Sequence, residues 1–281
     1  MSKSSSTRNT SSKPIQDAST VILLRESAAS LETFMMCRHS KSGFMGGAHV
    51  FPGGKVDVAD RDETWESRLD TTLVRASEQL DEPDLERTKG FWVAAVRETF
   101  EEAGVLLARA TDSFDPQSRR ARLRSGSDFL ELAGELDLQL SAADLTPYAR
   151  WVTPDFESQR FDTCFFVAVL PSGQDASHDG TETTSATWLE PAAALQAMQS
   201  RTIKLAPPTV RTLQWLSDFE RAADVISAAA GRKPPLVRPE LVQQGEGWFL
   251  ALPGDPDHSE QEPVLPGSTR MLFDHGVWRD H

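Results

Sequence analysis

Two short apolar runs, residues 20–24 and 33–37, flank a polar stretch at 27–32 and predict a β-hairpin. Residues 149–152, 163–170 and 185–189 read as further strands, and residues 191–199 and 209–230 as helices. The strongest helical signal covers residues 89–107, KGFWVAAVRETFEEAGVLL, in which Trp92, Ala95, Val96, Thr99, Phe100 and Ala103 fall on one side and Gly104 is placed to end the helix as a left-handed cap. Between hairpin and helix, the glycine-rich segment 43–54 reads as a loop, a short strand and a sharp turn. Residues 61–88 form a charged stretch with helical spacing at Trp65, Leu69, Leu73 and Leu80, closed by Pro83, and are expected to be an insertion. From Pro234 onward the chain is rich in Pro and Gly, with strands expected at 248–252 and near 271–273; residues 234–281 are expected to pack on the same core.

The expected organisation is a tail over residues 1–17, one domain over 18–233 and the C-terminal extension. The tail reading rests on eight Ser or Thr among the first thirteen residues, with neither the apolar core of a secretory signal nor the amphipathic face of a presequence. With 29 Lys plus Arg against 42 Asp plus Glu, the formal charge of −13 argues against nucleic acid or an anionic membrane as the main partner. A phosphorylated small molecule stays compatible if a divalent cation bridges the two negative partners. No apolar run approaches the roughly 20 residues of a membrane span. Cys37 and Cys164 both sit in strand-like apolar stretches and are expected to be inert core thiols in a reducing, cytoplasmic compartment.

Candidate chemistry concentrates on the helix at 89–107. Glu98, Glu101 and Glu102 share an arc of about 100° on the helical wheel, an arrangement that costs a few tenths of a kcal/mol per like-charged pair. A solvated charge stripe is one explanation; the other is a site for Mg²⁺ or Mn²⁺, hard cations that take several oxygen ligands. The glycine turn upstream and the helix-ending glycine downstream favour the second.

In this context Arg97, Glu98, Glu101, Glu102, Gly104 and Val105 resemble the second half of the Nudix hydrolase signature, G-x5-E-x7-R-E-U-x-E-E-x-G-U, with Thr99 where an aliphatic residue is usual. The first half is similar to Gly54 through Asp60, with Asp60 in place of the usual Glu, and 36 residues instead of seven separate Asp60 from Arg97. Such an expanded signature resembles the coenzyme A diphosphatase branch related to the mammalian peroxisomal enzyme and its bacterial relatives. That likeness extends through Phe44 to Gly54, Arg150 to Pro154, Arg160 to Thr163 and Ala206 to Thr209, and covers roughly residues 18 to 230. The chain's last residues, Arg279, Asp280 and His281, do not read as a peroxisomal address, so the compartment does not carry over.

The resemblance implies an α/β fold, an α/β/α sandwich around a curved mixed sheet. It implies a metal-dependent pyrophosphohydrolase in which Glu98 and Glu102, assisted by Glu101 and the Gly54 carbonyl, hold the cation while Arg97 orients a carboxylate. Glu182, in the acidic loop 179–184, is the late-loop candidate for general base, and Arg38 and Arg160, each near a strand end, are candidates for binding substrate phosphates. His39 and His49, beside the glycine turn, are expected to be hydrogen-bonded loop residues and not ligands. The insertion 61–88, emerging beside the expected metal site, is expected to be a lid that selects substrate. Three readings follow: a coenzyme A or acyl-coenzyme A diphosphatase, a pyrophosphatase for ADP-ribose or NADH, and a catalytically silent domain that binds a nucleotide. Dimerisation is common in the family, but no exposed heptad or self-complementary strand here derives a homodimer.

Overall fold

Strand alternation splits the apolar residues of a mixed sheet between two cores, one on each face. The computed structural model describes residues 14–27, 30–40, 45–110, 115–178, 180, 183–245 and 247–281. The expected hairpin is present as β1 (Ile15–Glu26) and β2 (Leu31–Arg38), followed by the short strands β3 (His49–Val50) and β4 (Gly53–Lys55). Helices α1 (Leu73–Leu80) and α2 (Leu85–Glu98) come next, and then β5 (Ala108–Arg109), α3 (Pro116–Arg124), α4 (Phe129–Glu135) and β6 (Gln139–Leu140). The second half of the sheet comprises β7 (Thr146–Val152), β8 (Arg160–Val169) and β9 (Thr183–Leu189), with α5 (Pro191–Gln199), α6 (Pro207–Leu216) and α7 (Ala222–Ala230) after it. The chain closes with β10 (Leu236–Val237), β11 (Glu240–Gln244), β12 (Gly247–Ala251), β13 (Arg270–Asp274) and β14 (Val277–Asp280).

The main sheet runs β10-β7-β8-β1-β2-β3, with β4 also pairing β1 and β9 also pairing β2. β1 is parallel to β8 and β10 to β7, while the other pairs are antiparallel, so the sheet is mixed as the sequence predicts. Val21, Leu23, Phe34, Met36, Cys164 and Phe166 face α2, whereas their strand neighbours Ile22, Leu24, Met35, Phe165 and Val167 face α6 and α7. This is the expected α/β/α sandwich. Burial pushes the Cys164 thiol far above its ordinary range, as suits a core thiol. No helix among the described residues is long and apolar enough to cross a membrane.

Several expectations need correction. β1 begins at Ile15, inside the stretch expected to be tail, because residues 15–24 run in continuous register with β8 and because Asp17 binds Arg61 and Arg87, each at 2.6 Å. The single helix expected over 209–230 is two, α6 and α7. The Ser217 hydroxyl donates to the Leu213 carbonyl at 2.8 Å and helps close the first of them. The C-terminal strands β11 to β14 form a separate antiparallel sheet whose Leu250, Met271 and Val277 join the core on the α6 and α7 side.

The insertion, expected to be a lid or substrate-selecting cap, is anchored in the core. Trp65, Leu69, Ala76 and Leu80 are buried in the same core as Trp92 and Phe100 of the signature segment, and Trp65 stacks on Phe129 with ring centroids 5.4 Å apart. Its apolar spacing therefore covers a second side of α2, which explains why residues 88–97 are buried all round the helix and not on one face only. The indole N–H of Trp65 donates to the Ala59 carbonyl at 2.9 Å, tying this core to the turn that carries Asp60. Trp65→Phe keeps a ring on Phe129 but leaves that carbonyl only the Asp62 N–H at 3.2 Å as donor, with an expected loss of about 1 kcal/mol measured by urea unfolding. An unchanged midpoint would return the insertion to the role of a loose cover.

Candidate active site

Asp84 starts α2 by accepting from the Glu86 and Arg87 N–H groups, and Gly104, in the left-handed region at φ 71°, ends the segment. Between them the last turn is not α-helical. Thr99–Ala103 forms a π-helical turn, which shifts Glu101 and Glu102 away from the phase expected for a straight α-helix. Its terminal carbonyls are held by a residue the sequence reading did not single out. Arg120, buried on α3, donates to the Glu101 carbonyl at 2.8 Å and also to the Glu102 carbonyl, as a cation at a helix C-terminus should.

Three successive residues of β4 clasp this helix. The Gly53 N–H donates to Glu102 Oε2 at 2.8 Å, and the Lys55 carbonyl accepts from Arg97 Nη2 at 2.8 Å. Between them lies Gly54, where an added Cβ would stand 2.4–2.7 Å from the atoms of the Glu98 carboxylate, so only glycine permits this approach. Pairing of β4 with β1, Ser19 opposite Gly54, fixes the clasp to the sheet.

Arg97 is the centre of the charge arrangement. Its Nε and Nη2 reach the two oxygens of Asp60 at 2.9 and 2.8 Å, and Nη1 reaches Glu98 at 2.8 Å and Glu101 at 3.4 Å. Asp60, only 2% exposed, is steadied by the Asp57 N–H at 2.8 Å. The acid of the first half-signature thus reaches the arginine of the second despite the long insertion, because Trp65 and its neighbours fold the intervening chain onto α2. Burial pushes the Glu98 carboxyl up to about 7 although Arg97 pulls it down, and burial also raises Glu101 and Asp60 against the same arginine. One guanidinium therefore does not offset three half-buried or buried carboxylates.

Among the described residues no three His, Cys, Asp or Glu side chains converge on one point. The structure brings Glu98 against the Gly54 backbone, whereas Glu98 and Glu101 both turn to Arg97 and Glu102 meets the Gly53 N–H; the three glutamates do not form a ready triad. The donor set still fits a hard divalent cation. It offers oxygen ligands, more carboxylates than the one guanidinium offsets, and a glycine backbone close to the Glu98 carboxylate. His49, expected to be a hydrogen-bonded loop residue, lies on β3 with its main-chain N–H donating to the Lys204 carbonyl at 2.8 Å, while its buried Nδ1 has no partner among the described residues and burial lowers its pKa.

A cavity of 470 Å³ adjoins the clasp, with Thr20 and Gly53 in its lining. The segments 151–154 and 206–209, singled out in the sequence, also line it, together with Phe161 and Thr163. Arg38 lies on this wall, and no carboxylate among the described residues pairs with its guanidinium. Arg160 does not line the cavity. It is buried and spent on the adjacent turn, with Nη2 at 2.5 Å from Asp155 and Nε donating to the Thr153 carbonyl at 3.3 Å. The loop candidate Glu182 falls outside the described residues. The sequence reading missed Arg120 and the cavity walls from the C-terminal sheet; Trp248 and Trp278, exposed or half-buried aromatics in a Pro- and Gly-rich stretch, were the available signal.

The family model for the NUDT19 Nudix domain matches residues 68–216. The human acyl-coenzyme A diphosphatase NUDT19 is 29% identical over 281 aligned residues, covering 85% of this chain and 75% of that protein. Its Xenopus laevis counterpart is 26% identical, covering 86% and 74%. Among solved structures, a NUDIX hydrolase from Alicyclobacillus acidocaldarius superposes with a TM-score of 0.64 at 26% identity, covering 79% of this chain and 97% of that one.

Proposed function

Because the chain belongs to the NUDT19 Nudix domain family and is a hydrolase of phosphorus-containing acid anhydrides, we propose that its substrate is coenzyme A or an acyl-coenzyme A, cleaved with the help of Mg²⁺ or Mn²⁺. Cleavage at the diphosphate would yield an adenosine 3′,5′-bisphosphate and a phosphopantetheine product. The observation that carries this reading is the junction of clasp and cavity: Gly53 both holds Glu102 and lines a largely apolar cavity of 470 Å³, so a diphosphate at the glutamates would have room beside it for an uncharged arm.

Glu98 and Glu102, with Glu101 and the Gly54 carbonyl, are the groups that would hold the cation. When bound, a divalent cation polarises the phosphoanhydride and lowers the pKa of an attacking water. Arg97 orients Glu98 by a charge-assisted hydrogen bond, and Asp60 locks the guanidinium in place from the other side. Arg38, on the cavity wall near the clasp, is a binding group for a substrate phosphate. Arg160 would serve by shaping the turn at 153–155.

Purified protein with Mg²⁺ or Mn²⁺ would be tested against coenzyme A, acetyl-coenzyme A, ADP-ribose and NADH, with products resolved by mass spectrometry. Selective cleavage of the coenzyme A compounds is expected. Cleavage of ADP-ribose or NADH alone would keep the chemistry and discard the substrate, and nucleotide binding without metal-dependent turnover would revive a silent domain.

Metal affinity should also follow the protonation of Glu98. With its folded pKa near 7, above that of an unfolded glutamate, the metal-free fold binds an extra proton and loses stability as pH rises through that interval. Cation binding requires the carboxylate and offsets this loss. Mg²⁺ is therefore expected to raise Tm more at about pH 8 than at about pH 5.5. Equal shifts at both would show that Glu98 is not a ligand.

A further inference from the structure

We propose that the cavity beside Gly53 receives the uncharged pantetheine and acyl arm of the substrate, and that Trp248 and Trp278 of the C-terminal sheet form the wall that selects acyl-chain length. The inference deepens the coenzyme A reading and rests on it.

Charge gives the first argument. Of the described residues lining the cavity only Arg38 and Glu157 are charged, one of each sign. A nucleoside bisphosphate carrying a diphosphate needs several cationic partners to be desolvated, and these described residues offer one. What it can accept is an uncharged chain. Phe51, Phe161, Phe165 and Leu250 present apolar surface, and the hydroxyls of Thr153 and Thr209 stand among them for amide groups. The volume, 470 Å³, is that of a small-molecule site and not of a packing defect.

The far wall is built by the extension. Trp248 and Leu250 lie two residues apart on β12 and so share one face, and both line the cavity. Trp248 stacks on Phe273 with centroids 6.1 Å apart and meets Trp278 edge-on at 6.0 Å, while Phe273 and Trp278 stand 4.8 Å apart. Trp248 is nonetheless 43% exposed, and Phe156, also in the lining, is 51% exposed. Large aromatics left partly open in a cavity that also includes Gly53 of the clasp fit an apolar chain that lengthens one methylene at a time.

The test compares kcat/KM for coenzyme A and octanoyl-coenzyme A in the full-length protein and in its Trp248→Ser/Trp278→Ser variant, with displacement of a fluorescent dodecanoate probe as a second readout. The octanoyl-to-coenzyme A ratio is expected to fall about tenfold or more in the variant, through KM, because the octanoyl methylenes lose the apolar surface that buries them; probe binding should weaken in parallel. An unchanged ratio with a folded variant would overturn the proposal. If the unmodified protein cleaves no coenzyme A compound, the functional reading fails, while probe binding lost in the variant would still place an apolar chain on this wall. Self-association abolished by the two substitutions, with probe binding intact, would assign the wall to a second copy of the chain and overturn the proposal.

Discussion

Replacing Glu102 by Gln is expected to leave the fold intact and to slow anhydride hydrolysis by about a thousandfold, roughly 4 kcal/mol of transition-state stabilisation. The fold should survive because a glutamine carbonyl can still accept the Gly53 N–H that now reaches Glu102 Oε2 at 2.8 Å. The π-helical turn keeps its own support, since Arg120 holds the backbone carbonyls of residues 101 and 102 and not their carboxylates. What disappears is one negative charge from the group that would hold the cation, and no neighbouring carboxylate is free to replace it: Glu98 and Glu101 are both drawn to Arg97. Steady-state turnover with Mg²⁺, read beside a thermal melt, separates the two effects. Wild-type turnover in the variant would remove Glu102 from the site, and a collapse of Tm alongside activity would make it a structural clasp only.

The parts of this arrangement that the sequence made legible are those with a local period. Alternation placed β1, β2, β7, β8 and β9, and a 3.6-residue spacing with a glycine stop located the signature helix and its buried residues. Residues 108–145 gave no such signal. α3 carries four arginines in nine residues and owes its place to the Asp115 cap and to ion pairs with Glu135, which no apolar stripe announces. The π-helical turn was invisible for a similar reason: its departure from a straight wheel depends on the Gly53 and Arg120 contacts, which lie 49 and 18 residues away in sequence. At the insertion, position beside the site suggested a lid or substrate-selecting cap, and the apolar spacing turned out to mark core residues. The same pattern serves a core because α2 has more than one side to bury. Arg160 shows the limit of reading a strand-end arginine as a phosphate ligand, since Asp155 and the Thr153 carbonyl already occupy it.

Arg97→Met should be the most damaging single change to stability at this site, costing about 3–5 kcal/mol, a large share of the 5–15 kcal/mol that holds a typical domain together. The methionine fills much of the arginine's volume, so the loss is one of charge and hydrogen bonds. Asp60, at 2% exposure, would keep the Asp57 N–H, and Glu98 would lose the guanidinium that opposes its burial. Arg97→Lys is expected to fall between, because a single ammonium cannot span the two oxygens of Asp60, the Lys55 carbonyl and Glu98 as the planar fork does. The deficit has a sign in pH. Without the guanidinium the carboxyls of Asp60 and Glu98 rise further above their unfolded values, so the folded variant binds more protons than the unfolded chain and gains stability on acidification. Urea unfolding at about pH 8 and about pH 5.5 should therefore show a larger penalty at the higher pH. A second substitution, Asp60→Asn, should recover part of the loss, since it removes the stranded charge that the first one creates. An equal penalty at both pH values, with no recovery in the double variant, would mean that Arg97 acts by packing, and the charge hub joining the two half-signatures would have to be abandoned.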